Sequence, residues 1–85
     1  MSIDINEYVN YKLECKIDPS FKSESWYSKN RFFIEFKKSD ETYIPIISGI
    51  DEDNEPFKHS DYDLSIVINN LAFGSWIIEK KHKKH

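Results

Sequence analysis

The sequence predicts a small α+β domain, a mostly antiparallel sheet of about four strands with one helix packed on it, in the order β-β-β-α-β. Two patterns lead to this prediction. Apolar and polar residues alternate with the period of a half-buried strand along the first half of the chain. A later stretch spaces its apolar residues three and four apart, as an amphipathic helix does. A short apolar stretch after the helix supplies the last strand.

The first strand is predicted at about residues 8 to 17, where Val9, Leu13 and Ile17 belong to the apolar row and Lys12 to the polar row. The pair Asp18-Pro19 ends it, because proline has no N–H to donate to a ladder. The polar stretch that follows, 20–30, is predicted to be a loop with one helical turn near 24–28.

The second strand is predicted at about 31 to 38, with Phe32, Ile34 and Phe36 facing the core and Phe33 facing the other way. Polar turn residues at 39–42 predict a hairpin to a third strand at about 42 to 50. Pro45 inside this strand favours a sheet edge or a bulge. We expect the acidic stretch 51–56 to form a mobile, exposed loop.

The helix is predicted at about 61 to 73, with Ser60 as N-cap and Gly74 as the C-terminal stop. A short fourth strand follows at 75–80. The domain is expected to comprise 1–79, and 80–85 to form a basic C-terminal tail whose deletion leaves the fold intact.

The composition indicates a reducing compartment and a cytoplasmic protein. Cys15 is the only cysteine, so no disulfide can form within the chain. Its position on the apolar row of the first strand favours a buried thiol over a nucleophile. The N-terminus has no basic flank leading into an apolar run, and no apolar run is long enough to span a bilayer.

No catalytic residue, metal ligand or cofactor is predicted. Asp51, Asp53 and Glu55 have the spacing of the first calcium ligands in an EF-hand, but Pro56 replaces the required glycine and Tyr62 the bidentate glutamate. The cysteine and the three histidines lack zinc-ligand spacing. His59, Ser60 and Asp61 are adjacent and cannot converge as a triad does. The chain has no glycine-rich phosphate loop, and we expect a protein that is not an enzyme.

Two basic segments, 22–38 and the tail at 80–85, indicate contact with nucleic acid. Lysine neutralises phosphates without reading sequence, and aromatic side chains stack on unpaired bases. The alternatives are a solvated terminus for the tail, and for Phe33 a second layer built from Trp26 and Tyr27. The predicted contacts are Lys29, Arg31, Phe33, Lys37, Lys38, Lys80, Lys81, Lys83 and Lys84.

An alternative hypothesis places the working surface on residues of opposite charge. In it, Asp51, Glu52, Asp53 and Glu55 imitate a phosphate chain and plug the basic cleft of a toxin, as an immunity protein or antitoxin does. Trp26 and Tyr27 are predicted to contribute to partner binding as well.

Eleven of the twelve basic residues are lysine, and isoleucine is abundant, a bias typical of AT-rich coding sequences. In its size, this bias, its α+β pattern and its lysine tail, the chain resembles the small early proteins of T-even-type phages that disarm host defences. Among these are inhibitors of the ribonuclease toxins of RNA-antitoxin systems. The resemblance implies a non-enzymatic inhibitor that binds a host protein, RNA or both in the host cytoplasm, with the tail at 80–85 as the RNA contact.

Overall fold

The computed structural model describes residues 3–18, 20, 31–51 and 53–84. They form a five-stranded antiparallel sheet and one α-helix, α1 (Leu64–Phe73). The strands, in chain order, are β1 (Tyr11–Ile17), β2 (Phe32–Ser39), β3 (Thr42–Ile50), β4 (Pro56–His59) and β5 (Trp76–Lys83). Their order in the sheet is β4-β3-β2-β1-β5. Within the described residues, no helix is long and apolar enough to span a membrane.

The predicted fold class is confirmed, but the sheet has five strands where the sequence predicted about four. The additional strand is β4, which lay inside the stretch interpreted as a connection between the third strand and the helix. Its four residues are too few to show an alternating pattern of their own. Pairing with β3 determines that they are a strand.

The core lies between one face of the sheet and α1. Val67 and Leu71 are the buried residues of the helix, and they join side chains from four strands. The T-shaped contact of Phe32 with Trp76, with ring centroids 5.2 Å apart, links β2 to β5 within this core. The buried set comprises Leu13, Cys15, Phe32, Ile34, Phe36, Ile47, Val67, Leu71 and Trp76.

The first strand begins later than predicted. A single 3-10 turn at Ile5–Glu7 precedes it, capped by the Asp4 carboxylate, which accepts a hydrogen bond from the Asn6 N–H at 3.0 Å. Val9 therefore lies in the turn before β1 and not in the ladder. It still packs against the core, which explains why it fitted the apolar row.

Pro45 is buried in β3, which lies inside the sheet and not at its edge. Ser39 pairs with Thr42 across the two-residue turn, and Phe36 with Pro45. Because N–H groups along an antiparallel strand point alternately toward each neighbour, this register directs position 45 away from β2. On that side, the pairing of β3 with β4 ends at Ile47 and His59. The proline thus occupies a stretch of β3 that is locally an edge, and no ladder bond is lost.

The described residues of the acidic stretch form a hairpin loop that the Asp51 side chain holds by hydrogen bonds. The mobility that the sequence predicted for this stretch stays a prediction. The Asp51 carboxylate accepts hydrogen bonds from the N–H groups of Asp53 and Glu55, both at 2.9 Å. Asn54 has a φ of 63°, a left-handed conformation that asparagine tolerates better than most residues. The loop connects β3 to β4.

The helix begins at Leu64, and its N-cap is Asp63, so the predicted cap at Ser60 was wrong. Residues 61–63 are a non-helical connection after β4. Gly74 ends the helix as predicted, with a φ of 92° and its N–H bonded to the Asn70 carbonyl.

The basic segment at the C-terminus is not a free tail. It continues β5 to Lys83, and Tyr11 through Glu14 pair with residues 80 to 83. The Lys84 N–H then donates to the Asn10 carbonyl at 2.9 Å. The sequence pattern missed this because polar residues on both sides of an edge strand show no apolar alternation.

Candidate nucleic-acid interface

The sheet has a front face, which α1 covers, and a second face opposite it, here called the back face. Cross-strand register identifies its members, because residues directly opposite one another share a face. One row crosses all five strands: Lys58, Ser48, Phe33, Glu14 and Lys80. Residues two positions along each strand from this row lie on the same face.

The back face carries an excess of positive charge although the whole chain has a net charge of −3. Among the described residues, its acidic side chains are Glu14, Glu35 and Glu79. Its lysine and arginine side chains are Lys12, Lys16, Arg31, Lys37, Lys58, Lys80 and Lys84. The charges of the molecule are therefore segregated, with the acidic excess on the remaining surface.

Phe33 is half-buried near the centre of this face, as the alternation of β2 predicted. The Lys12 ammonium lies 4.9 Å from the centre of its ring, a cation–π contact. The His82 ring lies near the Phe33 ring, with centroids 6.4 Å apart and planes tilted by 56°. The aromatic side chain thus has nitrogen-bearing neighbours from β1 and from β5.

Arg31 belongs to an ion-pair network that joins β1, β2 and β5. Its Nε donates to the Glu79 carboxylate and lies 3.6 Å from Glu14. Lys16 approaches Glu79 at 3.4 Å. The carboxylates are the more enclosed members, since the side chains of Glu14 and Glu79 are 18% and 22% exposed and that of Arg31 is 60% exposed.

The bond between Arg31 and Glu79 shifts the pKa of both groups. The hydrogen bond from Arg31 is the main cause that lowers the pKa of Glu79, and the same bond raises the pKa of Arg31. His82, on β5, also belongs to the network, because its Nε2 lies 3.1 Å from a Glu14 oxygen. Arg31 therefore serves first to hold the three strands together, and its charge is already partly neutralised.

The lysines of the C-terminal segment do not act as one cluster, because strand pairing divides them between faces. Lys80 and His82 oppose Glu14 and Lys12 on the back face. Lys81 opposes the buried Leu13 on the front side, where its ammonium lies 5.3 Å from the centre of the Tyr11 ring. Lys83 opposes Tyr11 and is also on the front side.

A β-bulge decides this division. Glu14 pairs with Lys80 and Cys15 with Ile78, so Glu79 is an extra residue of β5 that has no direct partner on β1. Strict alternation from the buried Trp76 would place Lys80 and His82 on the front. The bulge reverses the order, and both face the back.

A groove of about 550 Å³ lies at the end of the sheet where β4 no longer covers β3. Two of the predicted contacts from β2, Lys37 and Lys38, line it together with Lys58 and Lys84. The Lys84 ammonium donates to the Phe36 carbonyl at 3.4 Å. The other lining residues are Val9, Asn10, Glu35, Phe36, Tyr43 and Ile46.

Of the predicted nucleic-acid contacts, the structure brings Arg31, Phe33, Lys37, Lys80 and Lys84 to the back face. Lys38 lies at the groove, and Lys81 and Lys83 face the front. Lys29, Trp26, Tyr27 and Glu52 lie outside the described residues.

Lys12 and Lys58 are back-face residues that the sequence reasoning did not propose as contacts. The polar row of the first strand was a sufficient signal for Lys12. No sequence signal identified Lys58, because its strand was not recognised.

The described members of the predicted acidic set, Asp51, Asp53 and Glu55, lie on the hairpin loop between β3 and β4. Asp53 and Glu55 are exposed, whereas the carboxylate of Asp51 is occupied in holding the loop. Asp51 therefore has a structural role that the sequence reading did not assign.

Burial places Cys15 in the core and raises the pKa of its thiol to about 12, with smaller contributions from Glu14 and Glu79. The thiol is thus held in its neutral, weakly nucleophilic form. In the described part of the chain, no three His, Cys, Asp or Glu side chains group closely enough to hold a metal ion.

Comparison with known proteins gave no relatives from which to infer a function: no protein family, curated protein or solved structure matches this chain.

Proposed function

We propose that this protein is a non-enzymatic binding protein whose back face binds single-stranded RNA, and that it inhibits a host factor or toxin that acts on or with RNA. The observation that carries the proposal is the concentration of cationic side chains around Phe33, on a molecule whose net charge is negative. The inhibitory role takes its support from the resemblance to small phage counter-defence proteins.

Electrostatics supports a polyanionic ligand on this face. A protein that neutralises phosphates releases condensed counterions, which gives affinity that does not depend on sequence and falls with salt. Lys12, Lys37 and Lys80 are held on paired strands, so binding orders their side chains but requires no backbone ordering beyond that of the fold. A rigid sheet surface is thus better prepared for binding than a disordered tail.

The aromatic side chain favours unpaired bases. Stacking on an aromatic ring contributes about 1–3 kcal/mol per base and tolerates any base. Phe33 stands at the centre of the sheet face, beside Lys12 and His82, which can contact the adjoining phosphates. A base-paired duplex keeps its bases stacked on each other and cannot use such a platform.

The C-terminal segment offers a matched test, because it supplies lysines to both faces. Replacing Lys80 and Lys84 with glutamine removes two charges from the back face, and replacing Lys81 and Lys83 removes two from the front. We expect the back-face pair to reduce the slope of log affinity against log salt by about 1.4 on a single strand. The front-face pair is expected to change it by less than about 0.4.

Fluorescence anisotropy with an unstructured oligoribonucleotide of about 12 nucleotides, within the site sizes usual for such platforms, measures both variants across a salt series. Phe33→Leu is expected to lower the affinity about tenfold or more at an unchanged slope, because it removes stacking and no charge. Equal effects of the two lysine pairs, or no binding at low salt, would contradict the proposal.

A second candidate function is the acidic plug, in which this protein is an immunity protein or antitoxin. It is favoured by the hairpin loop, in which hydrogen bonds to the Asp51 carboxylate position the backbone of Asp53 and Glu55. Affinity capture from bacterial lysate with and without ribonuclease treatment separates the two. RNA-dependent capture supports the back face, and ribonuclease-resistant capture that Asp53→Asn with Glu55→Gln abolishes supports the acidic loop.

A further inference from the structure

The groove at the free end of β3 gathers lysines from separate parts of the chain. Lys37 and Lys38 come from β2, Lys58 from β4, and Lys84 from the residue after β5. Among the described residues that line it, Glu35 is the one with a carboxylate. Four lysines around one open volume raise the positive potential there, and a bound anion is favoured by that potential.

Protection of sheet edges does not account for this gathering. Lysine commonly lies on edge strands, where it discourages pairing with a second chain. Lys58 fits that explanation, because β4 is an edge strand. Lys37 and Lys38 do not, since β2 lies between β1 and β3.

The size of the groove and the residues that line it also suit a small bound anion. About 550 Å³ is within the range of small-molecule sites, roughly 300–1,000 Å³. The Lys84 ammonium is tethered to the Phe36 carbonyl at 3.4 Å, which leaves donors for a ligand. Tyr43 and Ile46 provide an apolar wall, and Asn10 adds an amide.

We propose that this groove is a phosphate-binding site. Lysine binds phosphate as a compact point charge, and several lysines on rigid elements suit a group with more than one negative charge. The inference that the groove binds the phosphates of a nucleic acid rests on the proposed function. The inference that it binds a phosphate group of any source rests only on the residues that line the groove. Lys37 is four residues beyond Phe33, about 13 Å along β2. A single RNA strand would therefore place one base on Phe33 and the phosphate of another nucleotide in the groove.

The test uses inorganic pyrophosphate as probe and the full chain as protein. We expect Lys37→Gln with Lys58→Gln to weaken pyrophosphate binding about tenfold or more, because two charge-assisted contacts are lost. Lys81→Gln with Lys83→Gln, the same charge change at two lysines that do not line the groove, should stay within about twofold, because no contact to the bound group is lost and salt screens the remaining attraction. Isothermal titration calorimetry gives the affinities, and circular dichroism confirms that each variant is folded.

A second arm distinguishes the source of the phosphate. If the ligand is the 5′ end of an RNA, Lys37→Gln with Lys58→Gln should weaken binding of an oligoribonucleotide with a 5′-phosphate more than binding of one with a 5′-hydroxyl. Equal weakening of both indicates that the groove binds backbone phosphates. Both results support the site.

Equal weakening of pyrophosphate binding by both lysine pairs, or no effect of either, overturns the site. Groove-dependent pyrophosphate binding, together with Phe33-dependent RNA binding that the groove variants leave intact, supports the site and shows that its ligand is not a nucleic-acid phosphate. Groove-dependent pyrophosphate binding without RNA binding supports the site and refutes the proposed function.

Discussion

Leu13 and Lys12 are neighbours on β1 that face opposite sides of the sheet. Leu13 is fully buried in the core, and Lys12 makes a cation–π contact with the Phe33 ring on the back face. We expect Leu13→Ala to reduce the free energy of unfolding by about 2–5 kcal/mol, since it leaves a cavity among packed side chains. Lys12→Ala should cost no more than about 1 kcal/mol, the value of an exposed cation–π contact. Urea denaturation measures both, and similar losses would contradict the assignment of faces.

The Glu79 carboxylate makes stability depend on pH. Its pKa is lowered in the folded protein, chiefly by the hydrogen bond from Arg31, so its contribution is complete above the unfolded pKa of about 4.3. That contribution is lost as the pH falls through the lowered folded value. We expect the stability difference between wild type and Glu79→Gln to be largest near neutral pH and to shrink toward zero in acid.

Urea midpoints between pH about 7 and 2.5 measure this dependence. Glu41→Gln, in the exposed turn between β2 and β3, is the control and should follow the wild-type curve. Asp18, whose pKa the Ser20 N–H and hydroxyl lower, contributes acid sensitivity that the Glu79 variant retains. A Glu79→Gln curve that stays parallel to wild type throughout would show that the Arg31 bond contributes no pH-dependent stability.

At the scale of the element, β5 is the strand on which sequence and structure differ most. Its second half is a row of lysines and one histidine, and pairing with β1 makes it part of the sheet. Deleting 80–85 therefore removes ladder bonds as well as charges. We expect a loss of at least about 2 kcal/mol in unfolding free energy, since each hydrogen bond contributes about 0.5–1.5.

The charge-matched control for this deletion is the full-length chain with four lysines replaced by glutamine, which removes the same lysine charges: Lys80, Lys81, Lys83 and Lys84. It keeps the backbone of β5 and should lose no more than about 1 kcal/mol, since substitutions at exposed positions have small effects. If the truncated chain is as stable as wild type in urea, the pairing of residues 80 to 83 with β1 is wrong.

On the scale of the whole molecule, the structure separates two charge populations that the composition adds together. The net charge of −3 and the pI near 5.5 argue against a dedicated nucleic-acid domain when read as totals. The sheet gives one face an excess of lysine and leaves the acidic excess elsewhere. Both proposed functions are therefore compatible with one fold, and they use surfaces of opposite charge.

Much of the fold followed from the sequence alone. The rows of β1, β2 and β3 and the apolar spacing of α1 predicted a mostly antiparallel α+β domain, and the third strand has the predicted bounds, Thr42–Ile50. These elements were accessible because burial of one face imposes a local period. β4 and the end of β5 were not, since their pairing depends on partners distant in the chain.

The candidate site shows the same limit in finer detail. The sequence by itself determined which residues are cationic and that Phe33 faces away from the core. Only the tertiary structure decided which lysines share its face, because the bulge at Glu79 adds one residue to β5 and reverses the alternation beyond it. A shift of one residue moves every later side chain to the opposite face of a sheet, and no local pattern records where that shift occurs.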